Sequence, residues 1–132
     1  MKDLYQFLKS TINKPFEWGA NDCCTLASGA VMAQGYKDPM KEFRGRYKTE
    51  RGAKQALKRL GYECLADAVS AKLNEIPKAY AQTGNPVLLV TGQMGVKTPN
   101  GVWVITAEGG VEIHPTFLEI EKAWEVSQWQ QQ

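Results

Sequence analysis

The strongest candidates for a reactive site in this sequence are a cysteine and the two polar residues that precede it. Asn21 and Asp22, both favoured N-cap residues, precede a segment of helical composition that runs from about Cys23 to Gln34. Cys23 is therefore predicted to lie in the first turn of a helix. The unpaired backbone N–H groups and the helix dipole at that position favour an anion, which lowers the pKa of a thiol and makes it a better nucleophile. The alternative is that Cys23 is a small buried core residue, as free cysteines commonly are.

Few other side chains could share that chemistry. The chain has three cysteines and one histidine, His114, which cannot supply four zinc ligands at any familiar spacing. We therefore expect neither a metal nor another cofactor. An odd number of cysteines argues against a disulfide framework. Cys24 is predicted to face the helix packing, and Cys64 is predicted to be structural.

The composition is that of one globular domain, which we take as residues 1–132. Of the 132 residues, 43% are hydrophobic and 23% are charged. The longest apolar run, 87–90, is far shorter than the roughly 20 residues that span a bilayer, so we expect no membrane association. The first residues lack the apolar core of a signal peptide, which predicts a cytoplasmic location.

The elements that must position Cys23 form two groups, with helices in the first half and strands in the second. This order is typical of an α+β domain. Apolar residues at helical spacing (Leu4, Phe7, Leu8 and Ile12) predict a first helix. The second helix, 23–34, is rich in small residues and is predicted to pack closely on the sheet. Two more helices are predicted between Thr49 and Gly61 and over 67–73, and strands at 87–90, 92–96, 102–106, 111–114 and 123–126.

Several segments together resemble one known superfamily. Phe16-Glu17-Trp18-Gly19 followed by Asn21-Asp22-Cys23 resembles the aromatic-x-Trp/Tyr-Gly and Asp-Cys segment of NlpC-type cell-wall peptidases, and 84–90 is similar to their Gly-Asp-hydrophobic strand. Segments 45–49 and 123–126 resemble short phage and prophage proteins of that superfamily. The resemblance covers most of the chain and implies a papain-like α+β fold. In that fold the cysteine-bearing helix packs on an antiparallel sheet.

The resemblance also implies acyl transfer, with the Cys23 thiolate attacking an amide in peptidoglycan stem peptide. The family's base is a histidine that heads a His-Val-Gly-Ile strand. If 93–96 is that strand, Gln93 occupies the base position. If 101–104 is that strand, Gly101 or Asn100 occupies it, and His114 falls at the third, orienting position. Neither alignment supplies a histidine base.

Three outcomes are therefore open. His114 could reach Cys23 from a neighbouring strand and act as the base, Cys23 could react slowly without an imidazole, or the site could be degenerate. A degenerate protein would be a phage structural or assembly protein, or a binding inhibitor of a host protein. Asp22 either caps the helix or also holds the cysteine loop, and Trp18 either lines a substrate cleft or packs the loop on the core. A phage product would reach the cell wall on the virion or after lysis.

The segment 37–59 is strongly basic, with nine basic and three acidic residues. Its simplest explanation is a solvated helix face. A second is a surface for an acidic protein partner, for which Arg44, Arg46, Lys48 and Arg51 are the candidate contacts. Aromatic residues interleave with these cations, as in some single-strand binders. The segment matches no named nucleic-acid motif, so nucleic acid is the weakest of the candidate partners.

Overall fold

The computed structural model describes residues 2–108, 110–114 and 119–126. Within these residues the helices lead the chain and most of the sheet follows, so the α+β prediction is confirmed. The four α-helices of the described residues are α1 (Lys2–Thr11), α2 (Cys23–Ala33), α3 (Glu50–Arg59) and α4 (Leu65–Ser70). A 3₁₀ turn over Lys78–Tyr80 separates the first two strands. None of the helices in the described part of the chain is long and apolar enough to cross a membrane.

Every pair of neighbouring strands in the described sheet is antiparallel. Its six strands are β1 (Asn74–Ile76), β2 (Pro86–Leu89), β3 (Met94–Thr98), β4 (Gly101–Thr106), β5 (Gly110–His114) and β6 (Ile120–Glu125). Their spatial order is β1-β6-β2-β3-β4-β5. Consecutive strands β2 to β5 are joined as hairpins, whereas β6 returns to insert between β1 and β2. This order places β3 near the middle of the sheet.

Helix α2 lies against the middle of that sheet, and its residues from Thr25 to Val31 are all buried. A small residue of α2 also allows α1 to pack closely on it, because a Cβ added at Gly29 would stand 2.2 Å from the ring of Phe7 on α1. Leu26 and Ala30 of α2 share one core cluster with Leu4 of α1. The opposite flank of α2 packs on a second cluster that contains the fully buried Trp124. The position of Cys23 is therefore set by a helix that packs on both α1 and the sheet.

The predicted boundaries differ from the structure where the local pattern is weak. Helix α1 ends at Thr11, and Ile12 beyond it is 53% exposed rather than part of the apolar face. Helix α4 begins two residues before the predicted 67 and ends three residues before 73. Strand β1 was not predicted, because its three residues have no alternating pattern and it exists by pairing with β6.

Candidate functional site

Cys23 is the first residue of α2, and the cap in front of it is Asp22. One carboxylate oxygen of Asp22 accepts a 2.9 Å hydrogen bond from the backbone N–H of Thr25. The Thr25 hydroxyl in turn accepts a 2.8 Å hydrogen bond from the backbone N–H of Asp22. This is a reciprocal capping box, and it holds the first turn of α2 in a single geometry.

Asp22 also holds the loop that precedes the cysteine. Its second carboxylate oxygen, Oδ2, accepts hydrogen bonds from the backbone N–H of Gly19 at 2.8 Å and from the hydroxyl of Tyr47 at 2.7 Å. Only glycine fits at position 19, because its φ is +83° and a Cβ there would stand 2.2 Å from the carbonyl oxygen of Tyr47. Asp22 is 1% exposed. Both functions considered for it therefore apply, because it caps α2 and anchors the loop.

The thiol of Cys23 lines a surface cleft of about 740 Å³, called here the Cys23 cleft. One wall is aromatic, with the rings of Phe16 and Trp18 meeting edge to face at 5.0 Å between centroids. Trp18 also packs on the core cluster that contains Tyr47, so it lines the cleft and anchors the loop at once. The remaining lining comes from α3, from the segment before α4 and from the ends of the strands: Glu50, Ala53, Lys54, Leu57, Lys58, Glu63, Cys64, Leu65, Thr91, Gly92, Gln93, Ile105, Ala107 and Glu108, together with Cys24.

The pKa values of the two adjacent thiols are shifted in opposite directions. The pKa of Cys23 is lowered chiefly by a hydrogen bond from the Cys24 thiol and further by the Met94 backbone, against burial and the Asp22 charge, which raise it. The pKa of Cys24 is raised well above its ordinary value by the same thiol–thiol hydrogen bond and by burial. Cys23 is therefore the thiol of the pair that ionises first.

Gln93 lines the same cleft as Cys23 and lies directly before β3, where its Oε1 accepts a 3.4 Å hydrogen bond from the hydroxyl of Thr91. Of the two alignments considered above, the first therefore has its base position in the cleft, and that position holds an amide. Strand β4 pairs with β3 through Val96 and Trp103. Further along the chain, Ile105 of β4 and Ala107 just after it line the cleft. The cleft thus contains both a thiol and an amide, with apolar residues on the neighbouring strand.

The structure does not bring His114 to Cys23. His114 ends β5 and pairs with Val102, which itself pairs with Lys97 of β3. His114 is therefore separated from Gln93 by roughly 13 Å along the strand direction and by roughly 10 Å across the sheet, from β3 through β4 to β5. The imidazole instead contacts Glu119 through Nδ1, and its Nε2 lies 3.7 Å from Glu112. These carboxylates, Glu119 first, raise the pKa of His114.

Two other predicted residues also lie away from the cleft. Asn100 occupies the exposed turn between β3 and β4, at the end of β3 opposite Gln93.

Arg44 is not a free surface contact. Its Nε donates to Asp38 at 2.7 Å and its Nη2 donates to the Ser28 hydroxyl at 2.6 Å, so it ties the 38–44 segment to α2. Arg46, Lys48 and Arg51 are exposed and remain available as a contact surface.

Comparison with known proteins assigns the chain to one sequence family. A family model described as Domain of unknown function (DUF6950) matches residues 1–126. The chain belongs to the DUF6950 family. No curated protein and no solved structure matches it. The DUF6950 match spans every element described above, from α1 to β6.

The sequence did not predict that α3 and the start of α4 form one wall of the cleft in this DUF6950 chain. Lys54 and Lys58 were predicted only as part of a basic segment, yet both line the Cys23 cleft. Cys64 was predicted to be structural, and it is exposed on the same cleft. No local signal identifies these residues, because their proximity to Cys23 depends on how α3 and α4 pack. Among the described residues, no cluster of three or more His, Cys, Asp or Glu could hold a metal ion.

Proposed function

We propose that this chain is a papain-like, NlpC-type module of phage or prophage origin that binds a peptide segment in the Cys23 cleft without hydrolysing it. The observation that carries the proposal is that Gln93, and not a histidine, lines the same cleft as Cys23 at the start of β3. The only histidine of the sequence, His114, lies at the other end of the sheet. The binding partner would be a phage structural protein or a host protein.

Hydrolysis of an amide by a thiol needs a group that takes a proton and later returns it. The base accepts the thiol proton, and the same group protonates the departing amine. A primary amide such as Gln93 does neither near neutral pH. It can donate and accept hydrogen bonds, which is what a bound peptide group requires. An amide at position 93 therefore supplies no general acid–base catalysis, but it can still bind a peptide group.

The walls of the cleft also suit a peptide. Phe16 and Trp18 provide flat apolar contact area, and Leu57 on α3 extends it. Lys58 and Glu108 place charges of both signs around the cleft. Mostly apolar lining with a few polar groups is typical of sites that bind small molecules and peptide side chains. The exposed residues Arg46, Lys48 and Arg51 would extend the contact to an acidic partner.

A second candidate is the slow cysteine hydrolase, which cuts an amide in peptidoglycan stem peptide. It is favoured by the lowered pKa of Cys23 and by the helix N-terminus beneath the thiol, where backbone N–H groups could stabilise an oxyanion. Loss of general acid–base catalysis slows such reactions by about 10² to 10⁴-fold. The hydrolase would then retain only a small remainder of its activity.

Hydrolysis of stem peptide distinguishes the two candidates. Purified peptidoglycan and soluble stem peptides would be incubated with the wild-type chain and with Cys23→Ala, and new amino groups would be quantified by mass spectrometry. The proposal expects no difference between the two proteins over long incubations. Cleavage by the wild type that disappears in Cys23→Ala would overturn the proposal and establish the hydrolase. A matched control, Cys64→Ser, removes an exposed thiol of the same cleft.

A further inference from the structure

We propose that the Cys23 cleft has an apolar side chamber that receives one small apolar side chain of the bound ligand. This inference rests on the proposed peptide-binding function and specifies which side chain the cleft selects. The chamber is a cavity of about 40 Å³ between α2, α4 and the 39–43 segment, with the sheet beneath it. Six of its lining residues are Ala27, Met40, Phe43, Ala68, Leu73 and Met94.

The chamber and the cleft adjoin each other. Cys24 and Leu65 line both of them, so these two side chains form the boundary between the two spaces. Cys24 directly follows Cys23, whose thiol lines the cleft. The proposed entrance to the chamber lies at Cys24 and Leu65, the two residues that it shares with the cleft.

The chemistry of the chamber favours an apolar occupant. Ser28 contributes the one hydroxyl among the side chains that line it. That hydroxyl donates to the Cys24 carbonyl oxygen at 2.9 Å and accepts from Arg44 at 2.6 Å. Both bonds leave little hydrogen-bonding capacity for a polar guest. A polar group without a partner in such a space would lose its hydration without replacement.

The volume limits the size of the occupant. The chamber is roughly three times as large as the 10–15 Å³ in which one water molecule fits. It therefore has room for about three or four carbon atoms, the size of a valine or leucine side chain. Each methylene transferred there from water should raise affinity about fourfold. Longer chains and aromatic rings should meet the wall formed by Phe43 and Met94.

The chamber can be tested with a series of alkyl methanethiosulfonates. The Cys23 thiolate attacks the divalent sulfur that carries the alkyl group of the reagent, the bond from that sulfur to the sulfonyl group breaks, a Cys23–S–S–alkyl disulfide forms, and methanesulfinate leaves. The experiment uses the full chain carrying Cys64→Ser, and peptide mapping by mass spectrometry assigns the modified cysteine. Methyl, propyl, hexyl and benzyl reagents are compared by second-order rate at Cys23, each normalised to its rate with a free thiol. We expect propyl to react about tenfold faster than methyl, and hexyl and benzyl to lose that advantage.

Filling the chamber should abolish the preference. Ala68→Leu adds bulk inside it, and Ala68→Val is the milder variant for use if the first does not fold, as judged by thermal melting. The matched control is Ala71→Leu, which adds the same side chain at an exposed position after α4. We expect the Ala68 variants to react equally with methyl and propyl reagents, and Ala71→Leu to keep the wild-type preference.

Two results would overturn the proposal that the chamber receives an apolar side chain. One is a wild-type rate that does not depend on chain length. The other is a propyl preference that survives Ala68→Leu in a folded protein. Neither result bears on hydrolysis, because this thiol exchange needs no general acid. Conversely, cleavage of stem peptide by the wild type would overturn the proposed function and leave the chain-length preference unchanged.

Discussion

The hydroxyl of Tyr47 donates a 2.7 Å hydrogen bond to the buried carboxylate of Asp22, across 25 positions of sequence. This contact connects the segment before α3 to the turn that presents Cys23. Burial is the main reason that the pKa of the Tyr47 hydroxyl is raised far above its usual range, and the Asp22 carboxylate adds to the effect. The hydroxyl is therefore a permanent donor under all ordinary conditions.

Tyr47→Phe should destabilise the fold. It removes one of the donors to a buried carboxylate, and hydrogen bonds to charged groups contribute about 1.5–3 kcal/mol. We expect the free energy of unfolding to fall by about 2 kcal/mol, measured by urea denaturation with an unchanged m-value. Tyr80→Phe is the matched control, because Tyr80 is 71% exposed and should change stability very little. Equal stability of the two variants would show that the contact with Asp22 is not made.

Cys24→Ala should raise the pKa of Cys23. The hydrogen bond from the Cys24 thiol is the largest cause of the lowered Cys23 pKa, and alanine cannot donate one. In a Cys64→Ser background, the pH profile of iodoacetamide labelling at Cys23 should move to higher pH. Cys24→Ser is the matched control, because its hydroxyl keeps a donor in place, and its profile should stay closer to the wild type. A shift to lower pH in Cys24→Ala would contradict the assigned donor.

Gln93→His should create a reactive cysteine–imidazole pair. Gln93 and Cys23 line the same cleft, and an imidazolium at position 93 that reaches the sulfur would stabilise the thiolate. We expect iodoacetamide labelling of Cys23 at pH 6 to accelerate by at least about tenfold, which corresponds to one unit in pKa. Asn100→His is the matched control, because it places the same side chain in the exposed turn at the other end of β3. An unchanged rate in Gln93→His would mean that position 93 does not face the thiol.

His114→Ala should reduce stability in a pH-dependent way and leave Cys23 unaffected. The Glu119 carboxylate, followed by Glu112, raises the folded-state pKa of His114 above its unfolded value of about 6.5. The stabilisation is therefore complete below about pH 6.5 and is lost as the pH rises through the folded pKa. The stability difference between wild type and His114→Ala should be larger at pH 6 than at pH 9, measured by urea denaturation.

Two further observations check the His114 assignment. Glu119→Gln should show the same loss of pH-dependent stability, because it removes the main partner of the imidazole. Labelling of Cys23 by iodoacetamide should follow the same pH profile in wild type and His114→Ala. A slower rate at neutral pH in His114→Ala would place the imidazole at the thiol after all, and would restore the catalytic pair that the strand pairing argues against.

The local features of the candidate site were determined by the sequence itself. Asp22 caps α2 because capping depends on side-chain and backbone groups only three residues apart, and the position of Cys23 in the first turn follows directly. The α+β order follows equally from the spacing of apolar residues along each segment. These interactions are short in sequence, so their pattern is visible without a structure.

Only the tertiary structure decided which distant residues meet Cys23. The register of β3 and β4 brings Gln93 to the cleft and leaves His114 at the far end of the sheet, and a strand's register depends on its partners rather than on its own residues. Packing of α3 and α4 brought Lys58 and Cys64 to the same cleft. The hydrogen bond from Arg44 to Ser28 has the same origin. Such long-range contacts form because the whole core packs at once, and no single segment encodes them.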